Sequence, residues 1–360
     1  MGELILVPGR PRLILLVARL DDAALVHVNS VGAGFTDMPS LKDVSFHSIS
    51  TPAVVIKFSI EVVRKHLKMS NSTSLFLVVG AGVFGASTAL HLIRKYPSAT
   101  VTIIDRAIPC QAGASWDWSK VVRADYTNVL YMKMALEAME LWRSEPMYNQ
   151  FYHESGLVWI DNHGFPRKVI DNHKHLKTDE KVRMATPEEV RRLYGGIFED
   201  TEFDEMSEIL INESSGWVEA NKALKKVIDA ALSAGVKSVE MDIASLEFDG
   251  EGSCVGVRST SGQTFSAANV ILATGARTAK LIADSAPSRA DLQVGERFTA
   301  AAIFTGTAKV DAERAEAFRT APVFLYAFGQ AQGMHSHRTR ILEPERLDRS
   351  YYPANYRERA

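Results

Sequence analysis

Residues 75–85 are Leu-Phe-Leu-Val-Val-Gly-Ala-Gly-Val-Phe-Gly, an apolar run that ends in three spaced glycines. A continuous apolar run of this kind predicts a strand buried on both faces of a parallel sheet. Gly80 permits a tight turn from strand to helix, Gly82 lets the backbone approach a pyrophosphate, and Gly85 lets the helix pack closely on the strand. The stretch therefore predicts a phosphate-binding loop.

The segments that follow complete a strand–helix–strand unit. Residues 83–95 carry apolar side chains at helical spacing, and residues 101–104 predict a second strand. Asp105 ends that strand twenty residues past Gly85, where a carboxylate can hold ribose hydroxyls. The unit specifies a parallel sheet and predicts dinucleotide binding, with NADP disfavoured because Asp105 would repel a 2′-phosphate. A glycine-rich turn that binds nothing is the alternative.

A later apolar run, residues 270–273, ends in Thr274 and Gly275. Strands that end in Ala-Thr-Gly return beside the first unit in many flavoproteins, which favours FAD over NAD. A buried strand with a glycine stop and no ligand is the alternative. Between these motifs, residues 131–143 and 221–234 predict helices, and the second helix should end at Gly235. This order of strands and helices predicts the α/β class.

The composition excludes several broad classes of protein. The chain has 360 residues, 46% hydrophobic and 23% charged, which rules out wholesale disorder, a collagen and a coiled coil. A net charge of −2 supplies no basic field for nucleic acid or an anionic membrane. Two cysteines are too few for a disulfide framework or a four-cysteine zinc site, and no metal site is expected. We expect a cytoplasmic monomer, with no membrane-spanning segment and no peroxisomal signal at the last residues.

Five segments carry a family resemblance. They are VVGAGVFGASTALHL (78–92), VTIIDR (101–106), ASWDWSKVVRADY (114–126), SSGWVEANKAL (214–224) and VILATGA (270–276). Together they resemble FAD-dependent amine oxidases of the D-amino-acid-oxidase superfamily, in particular the sarcosine oxidase, fructosyl amino acid oxidase and saccharopine oxidase group of fungi and bacteria. The third segment is the most specific. There, family members place a small-residue loop against the flavin, then a basic residue, two apolar residues, an arginine and often an Asp/Tyr pair.

The resemblance implies FAD as cofactor and gives roles to two basic residues. Lys120 matches the basic residue over the flavin ring, where a fixed cation would stabilise nascent superoxide. Arg123 matches the arginine that grips the substrate carboxylate. A solvated basic face is the alternative for both residues. The residues implied to contact FAD are Gly80, Gly82, Val83, Phe84, Gly85, Asp105, Arg106, Ser115, Lys120, Thr274 and Gly275.

The chain departs from the family pattern in two ways. Many members attach FAD through a cysteine in their C-terminal third, where neither Cys110 nor Cys254 falls, so we expect non-covalent FAD and two ordinary small residues. The resemblance starts near Met69 and stops near Gln330, which predicts an unrelated N-terminal extension and a missing C-terminal quarter. A β-rich N-terminal cap is the alternative for the first part. Outside the motifs, the polar segment around His173 is expected to be a solvated surface.

These observations predict two interleaved domains. A Rossmann-like FAD-binding domain takes residues 69–150 and 215–285, and a mostly antiparallel substrate sheet takes 151–214 and 286–330, with an extension at 1–68 and a divergent tail at 331–360. The implied reaction oxidises a secondary amine or N-substituted amino acid to an imine, with hydride transfer to flavin and reduction of O2 to H2O2. The expected partners are therefore a small amine or amino acid and O2. A non-catalytic or inactive FAD-binding protein and an NAD-dependent dehydrogenase are the alternatives.

Overall fold

A computed structural model of the chain describes residues 12–15, 75–161, 163–201, 203, 208–295, 298 and 311–326. The predicted tail at 331–360, and all of the predicted extension at 1–68 except residues 12–15, lie outside the described residues. Within the described part, no helix is both long and apolar enough to cross a membrane.

The strands and the helices of the described residues are each numbered in chain order. The strands are β1 (Arg12–Leu15), β2 (Leu75–Val79), β3 (Thr100–Asp105), β4 (Lys120–Val122), β5 (Tyr152–His153), β6 (Leu157–Asp161), β7 (Val182–Ala185), β8 (Glu208–Asn212), β9 (Gly216–Val218), β10 (Lys237–Glu240), β11 (Ile243–Phe248), β12 (Cys254–Ser259), β13 (Thr264–Ser266), β14 (Asn269–Leu272) and β15 (Val323–Tyr326). The α-helices are α1 (Val83–Lys95), α2 (Val129–Ser144), α3 (Phe165–Leu176), α4 (Pro187–Arg192), α5 (Ala220–Ser233), α6 (Thr278–Ser285) and α7 (Ala312–Ala317). Three short 3-10 turns span Asn149–Phe151, Tyr194–Gly196 and Gly275–Arg277.

A five-stranded parallel sheet in the order β1-β14-β2-β3-β10 contains both strands of the predicted strand–helix–strand unit. Both faces of β2 are buried because its side chains alternate between two cores. Phe76 and Val78 pack with α1 and α5 on one face, whereas Leu77 and Val79 pack on the other face with α6 and the antiparallel sheet β11-β12-β13. The continuous apolar run of β2 is therefore explained by burial on both sides.

Two further sheets complete the described fold. The four-stranded sheet β15-β6-β8-β7 is antiparallel except for the parallel pair β15–β6, and the three-stranded sheet β4-β9-β5 is antiparallel throughout. β6, β7, β8 and β15 come from the two ranges predicted to form the substrate sheet. The predicted α/β fold class is confirmed, whereas the division into domains stays a prediction.

Most local predictions agree with the described elements. The predicted strand at 75–79 and helix at 83–95 coincide with β2 and α1, and Gly235 adopts a φ of +101° directly beyond the end of α5. That conformation is open to glycine at little cost, which explains the helix end. Cys254, one of the two cysteines expected to be ordinary small residues, lies buried in β12.

Candidate active site

The loop between β2 and α1 is built so closely that two positions have no room for a side chain. Gly80 has a φ of +112°, and a Cβ on it would overlap the carbonyl oxygen of Ala273. A Cβ on Gly85 would overlap the carbonyl oxygen of Gly80 and lie 2.9 Å from the carbonyl carbon. The backbone of the loop therefore presses against both its own helix and the end of β14.

The first turn of α1 meets Ser115 from the following loop. The main-chain N–H of Val83 donates to the Ser115 hydroxyl at 2.9 Å, and a Cβ on Gly82 would lie 3.0 Å from the same oxygen. Gly82 is the N-cap, so no side chain caps the helix there, and the first turn holds no acidic residue. A helix start of this kind offers amide groups and a positive dipole end to an anion. Ser115 and Val83 thus lie at the helix start for which the sequence predicts pyrophosphate binding, and Phe84 beside them is half-buried.

Asp105 closes the loop from the neighbouring strand. Its carboxylate accepts hydrogen bonds from the main-chain N–H groups of Ala81 and Arg106, both at 2.7 Å. The carboxylate therefore reaches from the end of β3 to the loop that follows β2. Arg106 is exposed, and its Nε lies 3.9 Å from a carboxylate oxygen of Asp242.

Thr274 and Gly275 follow β14 at the same edge of the sheet. The hydroxyls of Thr274 and Thr278 are hydrogen-bonded at 2.8 Å, and Gly275 has a φ of +54°. Ligands of open parallel sheets bind at the carboxyl ends of the strands. In this chain β2, β3 and β14 all end at the same edge of the sheet. The structure thus brings the predicted contacts from residues 80–85, 105–106 and 274–275 to one edge.

Lys120 begins β4, and its ammonium group is already paired. Its Nζ lies 2.7 Å from a carboxylate oxygen of Asp117, and both side chains are mostly buried. The other Asp117 oxygen accepts from the main-chain N–H of Trp118 at 2.8 Å, while the indole of Trp118 is 75% exposed. Sequence reasoning missed Asp117, although an acid three residues before a basic residue was a signal that could have found it.

Arg123, directly after β4, lies between two aromatic rings. Its guanidinium carbon is 4.4 Å from the ring centre of Tyr126 and 4.5 Å from that of Trp159. Trp159 in turn stacks on Phe165 with ring centres 4.1 Å apart. Cation–π contacts of this type contribute about 0.5–2 kcal/mol each, more as water is excluded. The Arg123 Nη1 group also donates a hydrogen bond to the main-chain oxygen of Asp125.

Asp125 is fully buried within a polar network that the sequence did not reveal. Its two carboxylate oxygens accept hydrogen bonds from the Asn212 amide at 2.8 Å and the Ser215 hydroxyl at 3.1 Å. His173 Nε2 lies 3.7 Å from the first of these oxygens, and His173 Nδ1 is hydrogen-bonded to the Thr178 hydroxyl at 2.8 Å. The expectation of a solvated His173 is therefore wrong, because the residue is only 3% exposed and faces this network.

Arg143 organises a second polar cluster away from Arg123. It contacts Glu154 at 2.7 Å, Glu180 at 2.9 Å and the main-chain oxygen of Ser214 at 2.7 Å. Burial alone would lower the pKa of Arg143, but its hydrogen bonds to Glu180 and Glu154 outweigh that effect and raise the pKa. Through its hydrogen bond to Ser214, Arg143 stabilises the turn between β8 and β9.

Neither cysteine is activated as a nucleophile. Burial raises the pKa of the Cys254 thiol to about 11. Burial, followed by the charge of Asp105, raises the pKa of the Cys110 thiol as well. Since the thiolate is the reactive form, both residues are disfavoured as sites of covalent attachment.

Comparisons with known proteins identify the family of the chain. Residues 76–349 match the family described as DAO, FAD dependent oxidoreductase. The chain is 28% identical over 217 residues to L-saccharopine oxidase of Schizosaccharomyces pombe, which covers 56% of this chain and 50% of the relative. It is 24% identical over 214 residues to human peroxisomal sarcosine oxidase, covering 57% and 51%. The chain therefore spans about half the length of these curated relatives.

The solved structures that the chain resembles show the same fold. A modified fructosyl peptide oxidase from Aspergillus nidulans superposes with a TM-score of 0.57 at 21% identity, covering 71% of this chain and 60% of the other. The family resemblance and the FAD cofactor predicted from the sequence are confirmed by these comparisons. The loop fits such a cofactor, because its glycines leave the space that side chains would fill and its helix start carries no negative charge.

Proposed function

Because the chain belongs to the FAD dependent oxidoreductase family, we propose that it oxidises a secondary amine or N-substituted amino acid to an imine and reduces O2 to H2O2. The names of two relatives support this class, since saccharopine and sarcosine are both secondary amines that carry a carboxylate. The observation that carries the proposal is Arg123, a guanidinium held between Tyr126 and Trp159. The reaction removes a hydride from the carbon next to nitrogen and a proton from the nitrogen itself, which leaves the neutral imine, and water then hydrolyses the imine.

Arg123 is proposed to bind the substrate carboxylate. A guanidinium has five N–H donors in a planar fork, which suits a carboxylate better than a lysine would. The two rings hold the plane of the fork, and the hydrogen bond to Asp125 occupies only part of it. The remaining donors would orient the amine relative to the cofactor.

FAD, when bound, supplies the two-electron acceptor for the amine and passes the electrons to O2. We propose that the residues at the edge of the parallel sheet hold it: Gly80, Gly82, Val83, Phe84, Gly85, Asp105, Arg106, Ser115, Thr274 and Gly275. Lys120 would provide a fixed cation for the oxygen reaction, with Asp117 orienting its ammonium group. We further propose a cytoplasmic monomer that needs no nucleic acid or membrane, in line with its net charge of −2.

Flavin absorbance and peroxide release test the proposed function. The purified chain should be yellow and release H2O2 with sarcosine or saccharopine, because both carry the secondary amine and the carboxylate. A colourless protein that reduces NAD instead would support a dehydrogenase. A yellow protein that releases no peroxide with any carboxylated secondary amine would support a non-catalytic FAD-binding protein.

Replacing Arg123 with alanine should raise the KM for sarcosine by about tenfold to a hundredfold, since hydrogen bonds to charged groups contribute about 1.5–3 kcal/mol. For dimethylamine, which lacks the carboxylate, the variant and the unaltered chain should have the same KM. Arg191→Ala is the matched control, because Arg191 also lies over an aromatic ring, that of Phe203 at 5.1 Å. An equal loss with both amines would contradict a carboxylate-binding role.

Replacing Lys120 with methionine should slow reoxidation of the reduced flavin by O2, because the cation that would stabilise superoxide is removed. Anaerobic reduction by amine should change much less. Stopped-flow absorbance separates the two half-reactions, and Lys225→Met, which removes a lysine paired with Asp229 at 2.6 Å, is the control. If Lys120→Met slowed only the reduction of the flavin by amine, Lys120 would have no role in the reaction with O2.

Acid precipitation should release all FAD from the chain. Neither thiol is activated for attachment, since burial raises the pKa of both. The supernatant flavin is quantified by absorbance and compared with the pellet. Flavin retained in the denatured pellet would point to covalent attachment at Cys110, Cys254 or another residue.

A further inference from the structure

Asp125 is a buried carboxylate whose hydrogen bonds do not by themselves explain its presence. Burying a charge costs free energy unless it is both paired and hydrogen-bonded, and replacing buried ion pairs by well-packed apolar residues of similar volume is often neutral or stabilising. The carboxylate is fully buried, and its hydrogen-bond donors Asn212 and Ser215 are both neutral. A position held at this cost suggests a role beyond packing.

The main chain of Asp125 contacts the proposed substrate anchor. Its carbonyl oxygen accepts a hydrogen bond from Arg123 Nη1, while the rings of Tyr126 and Trp159 restrict the plane of the guanidinium. Within that plane, the carbonyl oxygen determines which donors of the fork stay free. The same residue carries the buried carboxylate that Asn212 and Ser215 hold in place.

Helix α3 contacts both parts of this arrangement. Phe165 in its first turn stacks on Trp159, and His173 in its last turn places Nε2 3.7 Å from the Asp125 carboxylate. That distance is longer than a hydrogen bond, and His173 Nε2 has no hydrogen-bond partner in the described part of the chain. The ring is oriented from its other side by the Thr178 hydroxyl. One helix therefore restricts the aromatic ring over Arg123 and the carboxylate behind it.

We propose that Asp125 and His173 are positioning residues that set the orientation of the Arg123 guanidinium and thereby its preference for carboxylated amines. This inference rests on the proposed function of Arg123. Both side chains are buried, so we assign neither of them a direct contact with the substrate. Their effect is on the direction of the anchor.

Two conservative variants and one control test the inference in the full chain. Asp125→Asn keeps the side-chain size but removes the charge and replaces one acceptor oxygen by an amide donor, and His173→Gln keeps polar groups but removes the ring. Glu180→Gln is the control, since it neutralises another buried carboxylate, whose partner is Arg143 rather than Arg123. The first readout is the Nε–H NMR signal of Arg123 in protein labelled with 15N-arginine, identified by its loss in Arg123→Lys.

We expect the Arg123 signal to move or broaden in both variants and to stay in place in Glu180→Gln. The second readout is steady-state kinetics, where the KM for sarcosine should rise by about tenfold with an unchanged kcat, and the KM for dimethylamine should stay constant. Unmoved signals together with an unchanged sarcosine preference in both variants would overturn the inference. If Asp125→Asn does not fold, His173→Gln decides.

The two readouts also separate this inference from the proposed function. Loss of sarcosine preference in Arg123→Ala but not in either variant would leave the anchor intact and refute the positioning role. An unchanged preference in Arg123→Ala would refute the anchor itself, and the NMR signal alone would then decide whether Asp125 and His173 orient the guanidinium.

Discussion

Replacing Gly82 with glutamate is expected to abolish FAD binding while the chain still folds. The new Cβ would meet only the Ser115 side chain, at 3.0 Å, so the backbone needs little adjustment. The added carboxylate would lie at the start of α1, where the helix dipole favours a negative charge. The same position is the one proposed for the pyrophosphate, so the two negative charges would compete for the same amide groups.

The expected loss of affinity is large. Like charges about 4 Å apart repel by about 4 kcal/mol at a dielectric constant typical of protein surfaces, which corresponds to about a thousandfold in affinity. Isothermal titration of the flavin-free chain with FAD measures this loss, and a melting curve checks the fold. Gly250→Glu is the control, because it adds the same charge in a surface turn with open space around it. Unchanged FAD affinity in Gly82→Glu would contradict the assignment of the phosphate site.

Replacing Gly85 with alanine is expected to destabilise the chain by about 3 kcal/mol or more, the upper range for overpacked sites. In an ordinary helix the same change stabilises by about 0.5–1 kcal/mol, because alanine loses less backbone freedom on folding. Here the new methyl group would overlap the carbonyl oxygen of Gly80 and lie 3.3 Å from the Cβ of Ala273. Helix α1 would have to move away from β2, and the sheet edge proposed to bind the cofactor would open.

Urea unfolding monitored by circular dichroism measures the free energy of unfolding of this variant. Gly250→Ala, which places the same methyl group in open space, is the matched control. If the free energy of unfolding of Gly85→Ala lay within about 0.5 kcal/mol of the control, the range of ordinary surface substitutions, α1 and β2 could not be as tightly packed as the structure shows.

Local patterns predicted the dinucleotide-binding unit well, because the physics that forms it acts over a few residues. An apolar run buried on both faces, glycines at 80, 82 and 85 and a helical repeat each leave a signature within the stretch that they shape. The position of Gly235 beyond α5 has the same origin, since the end of a helix depends on one backbone conformation. The family resemblance in residues 114–126 added Lys120 and Arg123 as candidates, but not their surroundings.

The sequence by itself thus determined the α/β class and the parallel strand–helix–strand unit, and it predicted which residues of the loop after β2 bind phosphate. Only the tertiary structure placed Trp159 against Arg123. It also brought Asn212 and Ser215 to Asp125, from which they are 87 and 90 positions away in the sequence. It also buried His173, which stands in a polar segment and turns inward because α3 packs on the sheet through that face. Contacts of this kind carry no periodic signature, since they arise where separate elements meet.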